Sequence, residues 1–432
     1  MTECAGKAAL CSSGKPPWVL RGVPNATAEW AESVISECRS VLNKRSRPEF
    51  NQPLPAKQLA ETCERIVESR NGHAAVDLVD FILTQGVLYG ASDLHFDPYS
   101  DAVLVKFRLN GVLYDIARLD PSIRKQLAAR LKVVSHLATF RKSVAQEGRA
   151  ALRLGDRTID LRFSSIPTIH GEKVAVRIFD PSRSLFDISR LGMDEETLGS
   201  LQRMLMAPQG TILLTGPSGS GKTTTMYAAL SFLRENKRNL SSIATVEDPV
   251  EYDLQVVNQT QVNPTSGLTF ANALRTVLRQ DPEVIMIGEV RDSETADIAI
   301  QAGLTGHLVL STVHARSAAG VLLRLIDLGV EPYLLASSVS AVLSQRLVRV
   351  VCQQCKGSGC QTCADTGYSG RTGIFQLLPV SEAMRELVLK TCSLGELEEQ
   401  VTREGIRSLL DHGRAKVEAG ITSQEELARV LG

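Results

Sequence analysis

The chain has 432 residues, 48 basic and 48 acidic side chains, and 43% hydrophobic content. These proportions exclude a disordered or fibrous chain, and zero net charge removes any global field toward nucleic acid or anionic lipid. No run approaches the ~18 apolar residues of a membrane span, and the N-terminus lacks a secretory apolar core, so a soluble cytosolic protein is expected.

Residues 1–74 carry Pro, Ser and Lys punctuation and read as a weakly patterned leader with short helices at Thr27–Leu42 and Ala56–Ser69. A firmer α+β domain is expected over 75–182. It opens with a helix ended by Gly90, followed by a hairpin over Asp101–Ile116 turned at Asn110-Gly111. A helix at Pro121–Val134, two strands over Arg149–Ser165 turned at Gly155-Asp156, and a strand at Lys173–Phe179 complete it. Residues 183–193 mix Ser, Arg and Gly and read as a linker. Over 194–432, short β-rich runs (TILLT, SIATV, VIMI, LVLST) alternate with helical stretches. That alternation predicts a parallel sheet in a doubly wound α/β domain. From Ser381 to the end the pattern is helical, with Gly420 as a stop and Thr422 with Glu425 as a capping box.

Gly216-Pro217-Ser218-Gly219-Ser220-Gly221-Lys222-Thr223 fits the G-x-x-x-x-G-K-[ST] phosphate loop. Its glycines let backbone N–H groups turn inward toward phosphate. Lys222 reaches the β- and γ-phosphates, Thr223 offers a hydroxyl to Mg²⁺, and Thr224 completes the nucleotide-binding run. A strand precedes the motif and a helix follows it, so the helix N-terminus adds its dipole to the anion site.

Ligands of open α/β sheets sit beyond the carboxyl ends of the strands. SIATV exits into Glu247, Asp248 and Glu251; VIMI exits into Glu289, Arg291 and Asp292; LVLST exits into His314. Glu289 has the position of a Walker B acid, holding Mg²⁺ through water or orienting the attacking water. Glu247 is the second candidate for activating water. His314 is placed to donate to a γ-phosphate, whereas His307, ahead of its strand, reads as structural.

The chain has nine cysteines, of which Cys352, Cys355, Cys360 and Cys363 form C-x₂-C-x₄-C-x₂-C. Four thiolates suit a closed tetrahedral zinc site, and an iron–sulfur cluster is the alternative.

Taken together, the phosphate loop, TVEDPVEY, LRQDPEVIMIGEVRD and TGHLVLSTVHA resemble the four boxes of the secretion ATPases of type II secretion and type IV pilus assembly. ASDLHFDP, SSIPTIHGEKVAVRIFD, SQRLVR and GYSGRTGIFQLLPV extend the likeness over about 75–432. The resemblance implies a RecA-like P-loop ATPase domain behind a smaller PAS-like domain, with ATP between them. It further implies a homo-hexameric motor, peripheral to the inner membrane, that drives pilus or pseudopilus assembly through an inner-membrane platform protein. No nucleic-acid partner is implied. A pilus-retraction motor and a nucleotide-binding scaffold are the alternatives, and the cysteine knuckle favours assembly. The family pattern R-F-R-x-D-G is Lys106-Phe107-Arg108-Leu109-Asn110-Gly111 here. An arginine-finger position is therefore lysine, which keeps the charge and loses the bidentate fork. Arg108 remains as the catalytic cation, with Arg118 or Arg124 as a second.

Overall fold

The two expected hairpin turns organise the first sheet. In the computed structural model, Asn110 and Gly111 both adopt left-handed backbone (φ 50° and 88°), as a tight turn between twisted strands requires. The described residues are 53–69, 73–180, 186–237, 240–255, 257–390 and 392–432, so the expected helix at Thr27–Leu42 lies outside them. Helices α1 (Ala56–Glu68) and α2 (Ala74–Tyr89) precede the sheet, and α2 ends at Gly90 with φ 73°. Helix α1 buries Leu59 and Cys63 and packs on α2 and on the third strand of the sheet.

The strands are β1 (Asp93–Pro98), β2 (Val103–Leu109), β3 (Val112–Leu119), β4 (Gln146–Leu154), β5 (Arg157–Thr168) and β6 (Gly171–Phe179). Their order is β3-β2-β1-β6-β5-β4, antiparallel throughout. Strand β2 alternates buried and half-buried residues, the signature of a sheet covered on one face. Helix α3 (Arg124–Val134) covers that face together with α2, after a 3-10 turn at Pro121–Ile123. Strand β1 sits at the centre, and its sequence DLHFDP alternates polar and apolar residues so that Leu94 and Phe96 are buried.

The second sheet contains β7 (Gly210–Thr215), β8 (Ile243–Glu247), β9 (Asn258–Gln261), β10 (Val284–Ile287), β11 (Leu308–Thr312), β12 (Val339–Val351) and β13 (Tyr368–Pro379). Their order is β13-β12-β7-β11-β10-β8-β9, parallel except for the edge pair β12–β13. Strands β7, β8, β10 and β11 are buried at every position, because helices cover both faces. Leu213, Val246, Ile285, Ile287 and Val309 face one core with α6 (Phe270–Val277), α7 (Ser293–Leu304), α8 (Ala318–Asp327) and α9 (Pro332–Ser338). Ile212, Leu214, Val284, Met286 and Leu310 face the other with α4 (Glu195–Leu205) and α5 (Lys222–Asn236). Ile188 and Leu191, which the sequence pattern assigns to a linker, are buried in that second core.

Four helices close the chain: α10 (Glu382–Leu389), α11 (Leu394–Arg403), α12 (Leu409–Glu418) and α13 (Gln424–Leu431). The cap of α13 is shifted by one residue from the expected Thr422–Glu425 pair: Ser423 accepts from the Glu426 amide. Thr422 instead donates to the Arg349 carbonyl at 2.7 Å, which fastens α13 to β12. Glu426, 1% exposed, accepts from the Arg349 amide and side chain at 2.9 Å and from Arg429 at 2.6–2.7 Å. The Arg349 guanidinium also lies 3.9 Å from the Tyr368 ring centroid and donates to the Tyr114 hydroxyl of β3 at 2.7 Å. One largely buried cation, Arg349, thus joins the last helix, the β12–β13 hairpin and the first sheet.

Burial alone would push the Glu426 carboxyl up; the Arg429 and Arg349 hydrogen bonds outweigh it and hold the group at about 2. A depressed carboxylate stabilises the fold above its unfolded value near 4.5 and loses that contribution as pH falls toward 2. Glu426→Ala should cost about 3–5 kcal/mol at pH 7, because it leaves the mostly buried Arg349 guanidinium unpaired. The gap between variant and wild type in denaturant unfolding followed by circular dichroism should narrow steadily below pH 4.5.

Candidate nucleotide site

The phosphate loop leaves the carboxyl end of β7 and closes on the first turn of α5. Gly216, Gly219 and Gly221 have φ of 151°, 75° and 90°, so the turn needs residues without a Cβ. At Gly216 a Cβ would also lie 2.5 Å from the Gln345 carbonyl and 2.6 Å from Ser220 Oγ. Helices α4, α6, α7 and α8 carry side-chain caps from Asp194, Thr269, Asp292 and Ser317. Helix α5 has none. Its first-turn N–H groups are therefore left for an anion, and the helix dipole favours one there. Lys222 Nζ donates to the carbonyls of Gly216 (2.8 Å) and Pro217 (3.1 Å), inside the loop's own curve. Burial, and then the nearby Arg346, push its ammonium below the ordinary lysine range, with Glu289 opposing them.

Glu289 belongs to this cluster. The Gly288 amide donates to the Val246 carbonyl (2.8 Å) and the Val290 amide to the Thr312 carbonyl (2.9 Å), strapping the segment between β8 and β11. The Glu289 carboxylate meets the Arg291 guanidinium on one oxygen and His314 Nε2 at 3.5 Å on the other. His314 is exposed at the edge where the loop lies, whereas His307 Nδ1 lies 3.1 Å from the Ala302 carbonyl at the end of α7. Glu247 has a different setting. It is 3% exposed and accepts from Tyr227, from Thr245 (2.6 Å) and from Gln259 (2.9 Å). Burial and the Glu247 hydrogen bond both push the Tyr227 hydroxyl up, so it stays a donor. Glu251 bridges to Arg162 of the first sheet at 3.6 Å, and burial raises its carboxyl despite that cation.

The candidate cations of the first domain, Arg162 aside, are engaged within it. Arg108 meets Asp93 at 3.4 Å and the Gly111 carbonyl at 3.1 Å. Lys106 meets Asp97 at 3.3 Å and Asp115 at 3.8 Å. Arg118 pairs with Asp101, and Arg124 donates to the Tyr99 and Ser100 carbonyls. None of these contacts reaches the phosphate loop. Between the two sheets a cleft of about 410 Å³ borders Gly221 and Thr224, with Asn110, Tyr252, Arg371 and Phe375 among its walls. Phe186, Tyr227 and Tyr252 pack edge-to-face beside it, with centroids 5.7–6.5 Å apart.

The residues that sequence reasoning missed lie on β12. Gln345, 1% exposed, donates from Nε2 to the Ser220 carbonyl at 2.7 Å and so holds the far limb of the loop. Arg346 follows it beside Gly216. The run SQRLVR held a signal: a glutamine and an arginine inside an otherwise apolar strand.

A second cluster lies between β12 and β13. The four sulfurs of Cys352, Cys355, Cys360 and Cys363 are all within 4.8 Å of one another, and three of the pairs are 3.7–3.8 Å apart. A tetrahedral ion with bonds of about 2.3 Å has edges about 1.63 times as long, or about 3.8 Å. The thiol set therefore fits such an ion. The amides of Gly359 and Cys360 point at Cys355 Sγ (3.3 Å) and Cys363 Sγ (3.2 Å), as thiolate ligands require.

The family model described as "Type II/IV secretion system protein" matches residues 68–429. The type II secretion system ATPase E of Vibrio cholerae is 41% identical, the match covering 85% of this chain and 77% of that protein. The type IV pilus assembly ATPase PilB of Myxococcus xanthus is 38% identical, over 86% of this chain and 70% of that protein. Among solved structures, the Legionella pneumophila ATPase DotB superposes with a TM-score of 0.64 at 20% identity, over 81% of this chain and 94% of that one, a likeness of fold. Lys222→Ala removes the loop's own cation and should weaken ATP binding at least about tenfold, as loss of a charge-assisted contact does, in a fluorescent-nucleotide titration.

Proposed function

The chain belongs to the type II/IV secretion system protein family, and we propose that it is an ATP-hydrolysing motor for pilus or pseudopilus assembly. The observation that carries this reading is the uncapped N-terminus of α5 behind the phosphate loop, with Lys222 inside it and Glu289 at the neighbouring strand ends. Phosphoryl transfer needs positioning and charge neutralisation more than covalent chemistry. Backbone N–H groups between Ser218 and Thr224 cradle the phosphates, and Lys222 leaves its loop carbonyls for the β- and γ-oxygens. Glu289, oriented by His314 and Arg291, accepts the proton of the attacking water. Glu247 works from the core, keeping Tyr227 and the β8 exit in place beside the nucleotide. The Thr223 hydroxyl would hold Mg²⁺, which would supply charge neutralisation at the phosphates. The aromatic and arginine-lined cleft between the sheets takes the base and ribose.

In this reading 75–182 form a PAS-like domain, onto which α1 of the expected leader packs, and 194–432 the RecA-like ATPase domain, whose core also takes in Ile188 and Leu191 of the expected 183–193 linker. The motor is a homo-hexamer in which Arg108 supplies the remaining catalytic cation. It works at the cytoplasmic face of the inner membrane on a platform protein, as a peripheral component. No helix among the described residues is long and apolar enough to cross a membrane. The cysteine cluster holds zinc as a closed structural site, since four thiolates leave no position for water.

Specific ATPase activity should rise with protein concentration as the ring forms, and activity that stays flat from nanomolar to micromolar would refute the ring. Glu289→Gln should lower kcat at least about 100-fold, within the range for a positioned acid–base group, while ATP still binds. Elemental analysis should find one zinc per chain, lost in Cys360→Ser.

A further inference from the structure

We propose that Arg346 is a phosphate-contacting residue of the nucleotide site, its guanidinium reading the γ-phosphate that ATP carries and ADP lacks. The inference rests on the ATPase reading and adds to it a cation from the second sheet. Strand β12 runs parallel to β7, with Ser344 opposite Thr215, so the next residues of β12 flank the start of the phosphate loop. A Cβ at Gly216 would lie 3.2 Å from Arg346 Nη1. The other terminal nitrogen lies 3.5 Å from the Arg316 carbonyl, two residues beyond His314. The guanidinium thus spans the ground between the base of the loop and the strand end that carries the Glu289–His314 pair.

Its surroundings lack a counter-charge. Arg346 donates to the Gln345 carbonyl at 3.0 Å and has no ion-pair partner among the described residues. It is half-buried, and burial pushes its guanidinium below the ordinary arginine range. Lys222 feels its charge. Two partly desolvated cations at one loop are costly unless an anion joins them. The other arginines near the loop differ: Arg291 is neutralised by Glu289, and Arg162 by Glu251. Polar atoms around it are also unmatched, for Ser220 Oγ and Gln345 Oε1 are buried without a hydrogen-bond partner. A planar fork that reaches both the loop and the His314 side suits the terminal phosphate, where two oxygens can be met at once.

The test compares Arg346→Gln and Arg346→Lys with wild type in the full chain, titrating a non-hydrolysable ATP analogue and ADP with Mg²⁺, and measuring hydrolysis. Arg346→Gln should weaken the ATP analogue at least about tenfold while ADP changes less than about twofold, since a lost charge-assisted contact falls on one ligand. Arg346→Lys should recover part of the difference, because charge returns without the fork. Equal weakening of both nucleotides would make Arg346 a structural latch and overturn the proposal. So would unchanged binding and turnover in a hydrolysing wild type, which leaves the ATPase reading standing. A wild type that neither binds nor hydrolyses ATP would remove both.

Discussion

Strand β7 is hydrogen-bonded on both edges, to β11 and β12, and buried at every residue. That confinement is the constraint on which the site depends. A strand held on both sides delivers its carboxyl end at one fixed point, and the loop that follows must turn at once into α5. The register then decides the neighbours. Thr312 lies opposite Leu214, which brings His314 alongside the loop, and Ser344 lies opposite Thr215, which brings Gln345 and Arg346 to its other flank. Thr215 Oγ1 donates to the Ala315 carbonyl and accepts from its amide, fixing the His314 segment from below.

The electrostatics of the site follow from that packing. Lys222 and Arg346 are partly removed from water, so each is held below its ordinary range, and Glu289 answers the lysine alone. Glu289 is itself shared with Arg291 and His314. Such a cluster gains by admitting a polyanion, because the incoming charge replaces lost hydration. Glu247 is set apart from that cluster by its burial, its oxygens taken by three donors.

The first sheet meets this frame through few polar contacts, chiefly Tyr114 with Arg349 and Arg162 with Glu251. Its Lys106, Arg108 and Arg177 are occupied by acids on neighbouring strands of the same sheet. Arg349 is the exception to the sparse coupling: it ties the first sheet, the cysteine hairpin and the last helix to one buried carboxylate.

The phosphate loop, the four buried parallel strands and the four-cysteine spacing were legible in the sequence, because each is written in residues close together in the chain. The first hairpin was legible for the same reason, since Asn110-Gly111 specifies its own turn. The strand β1 was not: it is a six-residue run with two aspartates, a histidine and a proline, and its place at the sheet centre comes from pairing with β2 and β6. The cap of α13 slipped by one residue because Thr422 is recruited by the distant Arg349 carbonyl. Glu289 and Glu247 look alike as acids at strand ends, yet packing leaves one beside the phosphate-loop lysine and locks the other among core hydroxyls. By itself the sequence determined which chemistry the chain carries, since a motif's local geometry is set by its own residues. Only the tertiary structure decided which side chains share that chemistry, because strand register and burial act between residues more than a hundred positions apart.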